Sequence, residues 1–315
     1  MISCPVCQAP VGREAPRMAP DSRGQNHPYL VCAACGLWWA HPPPDPETLA
    51  SHYDADYYGD DQTKFSPLIE RWIDGHRRRR AHWVAGLSGA KPGRILDVGC
   101  GNGRFLEMMA GLGFEIHGIE LPGLAADRAG RVRGLQLHQG ALDHWPGPES
   151  SLDAVTLWHV LEHTTDPAAI LKRCRLLLKE GGVLALEVPN GSSWQARWFG
   201  PLWFHLDPPR HLFQFTPKAL TQLLRDAGFA EVHWKTLQGE MGLFGFLQSL
   251  LNRFVQPRDA FYRSLRLRGQ RERIGRRLGL DTLAAVCGVP AAALTLAESL
   301  AGQGAGIRAW ARKEG

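Results

Sequence analysis

A short apolar strand that breaks into a glycine-rich turn constrains the fold of this chain more than any other feature. Residues 95–98 form an apolar run typical of a buried parallel strand, and three glycines follow within residues 99–103. A helical pattern then places Phe105, Leu106 and Met109 on one face. This order lets the backbone pass close beneath a ligand, while the N–H groups that begin the helix can meet an anionic group. The chain is therefore predicted to contain a nucleotide-type α/β domain.

Two acidic residues discriminate between the cofactors that such a turn can hold. Glycine turns of this kind occur in proteins that bind NAD, FAD or S-adenosylmethionine (SAM), so the turn alone does not choose. Asp97 lies inside the strand, where it would repel a pyrophosphate but could hold the glycine loop or the ammonium of an amino-acid ligand. A second strand at residues 115–119 ends in Glu120, which is placed to accept both hydroxyls of a ribose. The two acids favour SAM over a dinucleotide.

The segment LDVGCGNG at residues 96–103 resembles motif I of class I SAM-dependent methyltransferases. The predicted strand at 152–157 and the LEH of residues 161–163 resemble the signature of ubiquinone/menaquinone-type and related small-molecule methyltransferases (methyltransferase domain 23/11-like). The resemblance covers roughly residues 90–238 and 304–313. It implies a Rossmann-like seven-stranded sheet with SAM as cofactor. The cofactor-binding residues implied are Asp97, Gly99, Cys100, Gly101, Asn102, Gly103, Glu120, Leu121, Ala141, Leu142 and Trp158.

The sequence departs from the family pattern after the third strand. Where the family usually has an acid that contacts the adenine amino group, this chain has Gly140, Ala141 and Leu142. Adenine recognition is then expected to use backbone groups, or Asp143 if the turn is shifted.

Further elements of the domain are visible along the chain. Asp166-Pro167 is predicted to cap a helix with an apolar face from Ile170 to Leu178, stopped by glycines 181 and 182. Further predictions are a strand at 183–188, a helix from Thr216 to Gly228 and a strand at 231–237. Because class I methyltransferases end with a strand hairpinned against strand six, residues 304–312 are expected to be strand seven.

Two Cys-x-x-Cys pairs precede this domain. Cys4, Cys7, Cys32 and Cys35 offer four thiolates, and each two-residue spacing lets one tight turn place both sulfurs on a tetrahedral ion. The segment between the pairs is too polar to build a core alone, so a structural zinc ion is predicted to supply its folding energy. Two redox dithiols are the alternative, but neither pair lies in a βαβ context. With seven cysteines and no visible secretory signal, a reducing cytoplasm is expected.

Histidines near the ends of the fourth and fifth strands are the catalytic candidates. Methyl transfer needs an aligned acceptor and, for a hydroxyl, a group that removes a proton. His159 and His163 flank Glu162 after strand four, and the segment at 205–211 follows strand five. In that segment, which resembles the Pro-Arg-His element of a bacterial domain-23-type subfamily, a lid loop is predicted. His205 or His211 would be the general base and Arg210 would meet an anionic substrate group, with loop anchoring as the alternative role.

The positive charge of the chain is concentrated in one segment. The net charge is +5, but residues 258–277 hold eight arginines against two acids, a local +6, so the remainder is close to neutral. Those arginines are residues 258, 263, 266, 268, 271, 273, 276 and 277. An apolar helix face is predicted beside them, at Leu243, Phe244, Leu247, Leu250, Leu251 and Phe254. This combination indicates either a cap over the active site or contact with an anionic membrane surface or lipid-linked substrate. A membrane span at 282–301 is not expected, because Pro290 interrupts it and Glu298 charges it.

Together these features predict an α/β enzyme with an N-terminal zinc ribbon and a C-terminal helical insertion. The expected divisions are a ribbon at 1–41, a linker and helical lead-in at 42–89, a methyltransferase domain at 90–238 and 302–315, and an insertion at 239–301. The expected function is SAM-dependent methyl transfer to a small-molecule, sugar or lipid/glycan-linked acceptor. One alternative is an RNA methyltransferase, disfavoured because residues 1–60 carry seven acids against three arginines. The other is a non-catalytic SAM-fold partner, disfavoured by the intact glycine loop.

Overall fold

The computed structural model describes residues 2–12, 15–52, 67–89, 92–237, 242–266 and 274–314. The strands in these ranges are β1 Arg17–Pro20, β2 Asn26–Val31, β3 Trp38–Ala40, β4 Arg94–Val98, β5 Glu115–Glu120, β6 Gln136–Gln139, β7 Leu152–Trp158, β8 Leu178–Pro189, β9 Phe213–Gln214, β10 Val232–Leu237 and β11 Gly306–Arg312. The α-helices are α1 Pro46–Ser51, α2 Pro67–Leu87, α3 Arg104–Gly111, α4 Leu124–Ala129, α5 Pro167–Leu177, α6 Trp194–Phe199, α7 Pro217–Asp226, α8 Gly242–Leu251, α9 Ala260–Arg266 and α10 Ile274–Leu300. Short 3-10 turns lie at Leu142–His144, Leu161–His163, Gly200–Leu202 and Phe204–Leu206.

A seven-stranded mixed sheet forms the main body, in the order β10-β11-β8-β7-β4-β5-β6. The strands from β4 to β8 are parallel to their neighbours, while β11 lies antiparallel between β8 and β10. Ile95 and Leu96 in β4 are fully buried, as expected of a central parallel strand. The predicted α/β, Rossmann-like sheet is confirmed, and residues 304–312 contain the expected last strand.

One boundary differs from the sequence prediction. The helix expected to run through Leu178 ends at Leu177, and β8 begins at Leu178 instead of after the glycines. Leu178 pairs with Leu152 at an irregularity of the β7–β8 ladder, so glycines 181 and 182 lie within the strand. A side chain at Gly182 would lie 2.8 Å from the Lys179 carbonyl oxygen, so the glycine permits this close backbone path.

The cysteine-rich segment is joined to the main body by a second sheet, in the order β1-β2-β3-β9. Strand β9 comes from the chain after β8, and it pairs with β3 through Trp38–Gln214 and Trp39–Phe213. Buried aromatic side chains from both parts, including Trp203 and Phe215, share one apolar core with Tyr29. The ribbon therefore packs as one body with the chain around β9.

The helices after β10 pack differently from the predicted amphipathic pattern. Leu247 and Leu251 of α8 are buried, but Leu243 is 42% exposed and Phe254 is 73% exposed, so the predicted single face was wrong. Phe246, Gln248 and Ser249 are buried as well, because α8 contacts α10, α6 and the 3-10 turn at Phe204–Leu206. Pro290 lies within α10 and does not end it.

The arginine-rich segment is only partly described. Arg268, Arg271 and Arg273, and the side chains of Arg266, Arg276 and Arg277, lie outside the described residues. Arg258 is buried, and its guanidinium donates to the carbonyls of Pro20, Pro201 and Trp203, which fastens the insertion to the ribbon. Among the described residues, no helix has the length and apolar character needed to cross a bilayer.

Candidate active site

The glycine turn after β4 has the conformation that its sequence predicts. Gly99, Gly101 and Gly103 have φ angles of 67°, 57° and 73°, a region that favours glycine. A Cβ at Gly99 would lie 2.7 Å from a methyl carbon of Val160, so no larger residue fits there without movement. A Cβ at Gly101 would have no atom within 4 Å, since Gly101 faces an open cavity.

Asp97 lies at the floor of this turn. It is 2% exposed, and Thr156 on the neighbouring strand β7 donates a 2.6 Å hydrogen bond from its hydroxyl to Asp97 Oδ1. Burial raises the pKa of Asp97 to about 7, the nearby Glu120 charge adds to the shift, and Thr156 and Arg80 oppose it. A cationic ligand group above the turn would favour the ionised carboxylate.

Glu120, at the end of β5, holds the turn from the other side. Its Oε2 accepts the Gly101 N–H at 2.7 Å, and its Oε1 accepts the Leu121 N–H at 3.0 Å. Burial raises the pKa of this carboxyl group, against the effect of the two N–H donors. Each oxygen keeps acceptor capacity for a ligand hydroxyl.

A cavity of about 640 Å³ opens above these groups. The predicted cofactor residues that line it are Asp97, Gly99, Cys100, Gly101, Asn102, Glu120, Leu121, Ala141, Leu142 and Trp158. Gly103 lies just behind, at the N-terminus of α3, and Asp143 is exposed and not part of the lining. This donor set fits SAM: open glycine backbone, an acid near an ammonium position and an acid for ribose hydroxyls.

Helix α2 supplies a wall of the cavity that the sequence analysis missed. Glu70, Ile73, Arg77 and Arg80 line the cavity, at the three- and four-residue spacing of one helix face. Arg80 is buried and its guanidinium lies 5.0 Å from the centre of the Trp158 ring. The clustered arginines at 77–80 are a sequence signal for this role, which the predicted linker and helical lead-in at 42–89 does not include.

Glu187 in β8 is a second acid that sequence reasoning passed over. Its carboxylate lies 3.1 Å from Arg80 Nη2, 2.9 Å from Arg308 Nη2 and 3.7 Å from His159 Nε2. Burial alone would raise its pKa, but these cations hold it well below the ordinary value. Glu187 is the single acid of the predicted apolar strand at 183–188, as Asp97 is of its strand, and this was the available clue.

The two predicted histidines after β7 both line the cavity but differ in environment. His159 has a φ of 57°, and its Nδ1 lies 3.2 Å from Glu162 Oε1. Burial by itself would lower its pKa, but Glu162 and Glu187 raise it to about 10, which suits His159 to donate a hydrogen bond. Burial and the neighbouring His211 lower the pKa of His163 to about 4.

The 205–211 segment lies beside the cavity and not in its lining. Arg210 forms an ion pair with Asp207 and donates to the His52 carbonyl, while His205 packs against Gly245 of α8. His211 is buried, and its ring centre lies 4.6 Å from that of His163. The structure thus brings His211 to the cavity only through His163, and the segment forms the joint with the ribbon.

The four predicted zinc ligands converge. The Cys4 and Cys35 sulfurs are 3.6 Å apart, the Cys7 and Cys32 sulfurs are 3.5 Å apart, and all four lie within 4.8 Å of one another. Sulfurs on a tetrahedral zinc ion, at bond lengths of about 2.3 Å, are separated by roughly 3.8 Å. The cluster fits a structural zinc ion. Thr216 of the main body donates a 2.6 Å hydrogen bond to the Cys35 carbonyl, so the site adjoins the domain.

Comparison with known proteins places this site in a family. A family model described as a methyltransferase domain matches residues 72–233, just over half of the chain. The ubiquinone biosynthesis O-methyltransferase of Xanthomonas campestris is 34% identical over 164 residues, covering 47% of this chain and 66% of that enzyme. The enzyme of the same name from Thiobacillus denitrificans is 33% identical over 152 residues, covering 41% and 62%. The matches thus span just under two thirds of these curated relatives.

A solved structure shares the fold. A candidate sarcosine dimethylglycine methyltransferase from Galdieria sulphuraria is 16% identical, with a TM-score of 0.50, covering 85% of this chain and 98% of that protein. This structural similarity supports the fold alone. The family match, together with the glycine turn and its two acids, confirms SAM as the expected cofactor. The chain belongs to the SAM-dependent methyltransferases that carry this methyltransferase domain.

Proposed function

We propose that the chain methylates a hydroxyl oxygen of a small molecule that is carried on a lipid or glycan. The observation that carries the proposal is the lining of the cavity, which combines Asp97 and Glu120 with Trp158, His159 and the α2 face. The relatives named for ubiquinone biosynthesis support oxygen as the acceptor atom. Bound SAM supplies an electrophilic methyl group on a sulfonium.

The protein's own part is to bind, align and exclude water. Asp97 and Glu120 bind the cofactor and fix the glycine turn, and α2 closes the cavity from the side. His159, held by Glu162 and Glu187, orients the acceptor oxygen. The neutral imidazole of His163, which also lines the cavity, takes up the proton of the acceptor hydroxyl. Alignment of this kind accounts for much of the rate in an in-line displacement.

The remaining predicted catalytic residues act through His163 in this proposal. Arg210 accepts the His163 Nδ1–H on its carbonyl at 3.0 Å, and His211 packs on the same ring. The His205 carbonyl in turn lies 2.7 Å from His211 Nδ1. In a His211→Gln variant, a positioning role predicts a lower kcat while the acidic limb of the pH profile persists at a shifted pKa, because, besides burial, His211 lowers the pKa of His163. Loss of the acidic limb, on which a general base becomes protonated, would instead identify His211 as the general base.

Two assays test the function itself. Calorimetry with SAM should show binding to the wild-type chain, and its failure would favour a non-catalytic partner protein. Transfer of a radiolabelled methyl group should then mark lipid or glycan extracts and leave total RNA unlabelled. Label in RNA alone would replace this proposal with the RNA methyltransferase hypothesis.

We further propose that the enzyme reaches a lipid-linked acceptor by resting on an anionic membrane surface. Helix α10 exposes an apolar stripe at Val286, Val289, Leu296 and Leu300, which are 69%, 78%, 61% and 81% exposed. The arginine-rich sequence at 258–277 precedes this stripe along the chain and carries a local charge of +6. A cationic sequence followed by exposed apolar side chains suits binding to an anionic bilayer surface.

Liposome flotation tests this surface. The wild-type chain should float with vesicles that contain anionic lipid, and binding should fall when Val289→Glu and Leu296→Glu are combined. Ala297→Glu with Thr282→Glu, two other exposed positions of α10, would show whether added negative charge alone is responsible. No binding to anionic or neutral vesicles would refute the membrane contact.

A further inference from the structure

A groove of about 660 Å³ lies where the ribbon meets helix α7. Residues 34–36 of the second cysteine knuckle, helix α7 and Trp234 of strand β10 all contribute to its lining. The groove shares no described lining residue with the cavity above Asp97 and Glu120. It is therefore a second concave site, built largely from three parts of the chain that are distant in sequence.

The wall on the ribbon side is held in place by the main body. Gly36 has a φ of 76°, and a Cβ there would lie 3.0 Å from a methyl carbon of Thr216, so glycine permits this close approach. Thr216 donates a 2.6 Å hydrogen bond to the Cys35 carbonyl. Lys218 Nζ donates a 2.7 Å hydrogen bond to the Ala34 carbonyl. Its charge there offsets the net negative charge of four thiolates around one divalent ion.

Arg225 is the cation that remains available in this groove. It lies exposed in the last turn of α7, and it forms no ion pair or side-chain hydrogen bond within the part of the chain that the structure describes. The adjacent Asp226 accepts a 2.8 Å hydrogen bond from Gln222 instead. The described lining contains no Asp or Glu. An unpaired guanidinium presents a fork of donors that matches a carboxylate in two parallel hydrogen bonds.

Trp234 supplies a flat apolar face in the same groove. It is 46% exposed and lies on β10, the edge strand of the seven-stranded sheet. Among the described residues, no ring packs on the indole and no cation lies over it. Thr221 and Gln222 of the same lining offer hydrogen-bonding groups beside it. A flat apolar face next to a few polar groups suits a pyranose, which presents C–H groups on one face and hydroxyls at its edge.

We propose that this groove binds an acidic glycan, with a sugar face on Trp234 and a uronate carboxylate on Arg225. The unpaired guanidinium and the lack of an acid in the described lining favour an acidic sugar over a neutral one. The indole favours a sugar ring over a small anion such as phosphate. The inference rests on the proposed function for its place in the reaction, since a glycan that carries the acceptor is held here, outside the cavity that holds the methylated hydroxyl.

Binding of two hexasaccharides to the full zinc-loaded chain tests the groove directly. The indole N–H resonance of Trp234 is assigned by its absence from the spectrum of Trp234→Leu. A galacturonate hexamer at millimolar concentration should shift this resonance saturably. Maltohexaose should bind at least about tenfold more weakly, because it offers no carboxylate to the guanidinium. This measurement needs no methyl transfer, so absence of methyl transfer to glycan extracts would refute the proposed function and leave the groove assignment standing.

Variants assign the charge selectivity to Arg225. Arg225→Gln should weaken binding of the galacturonate hexamer by about tenfold and leave maltohexaose unchanged. Lys235→Gln is the matched control, because it removes an exposed cation of β10 that lies outside the groove lining, and it should bind as the wild type does. The proposal fails if the galacturonate hexamer leaves the Trp234 resonance of the wild type in place, or if both hexamers bind equally. A shift caused by poly(U) alone would assign the groove to RNA instead.

Discussion

The hydroxyl of Tyr29, in strand β2 of the ribbon, donates a 2.8 Å hydrogen bond to the backbone carbonyl of His211. Both groups are buried, and the two residues are 182 positions apart in the chain. This bond ties the ribbon to the segment that positions His163 at the cavity wall. The ribbon is thereby coupled to the candidate active site by a buried polar contact.

Removing that bond should weaken the joint. Tyr29→Phe leaves the ring in place but strands the His211 carbonyl without its donor, and we expect a loss of about 1–2 kcal/mol in the free energy of unfolding. Denaturant unfolding measures this loss. Tyr262→Phe, in helix α9 away from the ribbon, is the matched control for deleting a phenol hydroxyl. Equal stability of Tyr29→Phe and the wild type would show that the contact does not hold the joint.

Metal removal should loosen the same joint from the ribbon side. The ribbon has little apolar core of its own beyond the surface it shares with β9, so its folding is expected to depend on the ion held by the four cysteines. Cys32→Ser, or a strong chelator, should lower the melting temperature and increase hydrogen exchange in β3 and β9. Cys287→Ser, a half-buried cysteine of α10 outside the cluster, should leave both unchanged. If hydrogen exchange in β9 is the same with and without the chelator, the coupling between the ribbon and β9 is contradicted.

Local sequence patterns were sufficient for the glycine turn and its two acids. Asp97, Gly101 and Glu120 belong to a strand–turn–helix unit and the next strand, whose geometry is set by a few adjacent residues. The same holds for the cysteine pairs, where the spacing within each pair dictates the shape of the knuckle.

Contacts between distant segments were not accessible in this way. The pairing of Arg80 with Glu187 joins residues 107 positions apart, and its formation depends on how α2 lies over the sheet. The buried face of α8 was wrongly predicted for a related reason. A helix packed on several sides buries Gln248 and Ser249 through specific hydrogen bonds, which hydrophobic periodicity does not register. The pairing of β3 with β9 likewise had no local signal.

Asp97 should make the stability of the ligand-free chain fall as pH rises. Its pKa is raised from 3.8 to about 7 in the folded state. Between these values the unfolded chain releases the proton while the native chain keeps it, so the native state loses stability by at most about 1.4 kcal/mol per pH unit. The contribution is fully present below the unfolded pKa and is lost as pH rises through about 7.

The variant Asp97→Asn isolates this effect. It should remove that part of the pH dependence, as measured by denaturant unfolding across the interval, while other groups keep their contributions. In the wild type, SAM should bind more tightly as pH rises through the same range, because its cationic ammonium favours the ionised carboxylate. An undiminished slope in Asp97→Asn would show that another group is responsible.

Glu120 and Asp143 offer a direct test of how the cofactor is recognised. Glu120 lines the cavity and holds the Gly101 N–H, whereas Asp143 is exposed and lies outside the lining. Glu120→Gln removes the negative charge and exchanges an acceptor for a donor, so SAM affinity measured by calorimetry should fall about tenfold to a hundredfold. Asp143→Asn should leave the affinity unchanged if the adenine edge is met by the backbone of Ala141 and Leu142. A larger loss in Asp143→Asn than in Glu120→Gln would show that this turn moves on binding and that an acid contacts the adenine after all.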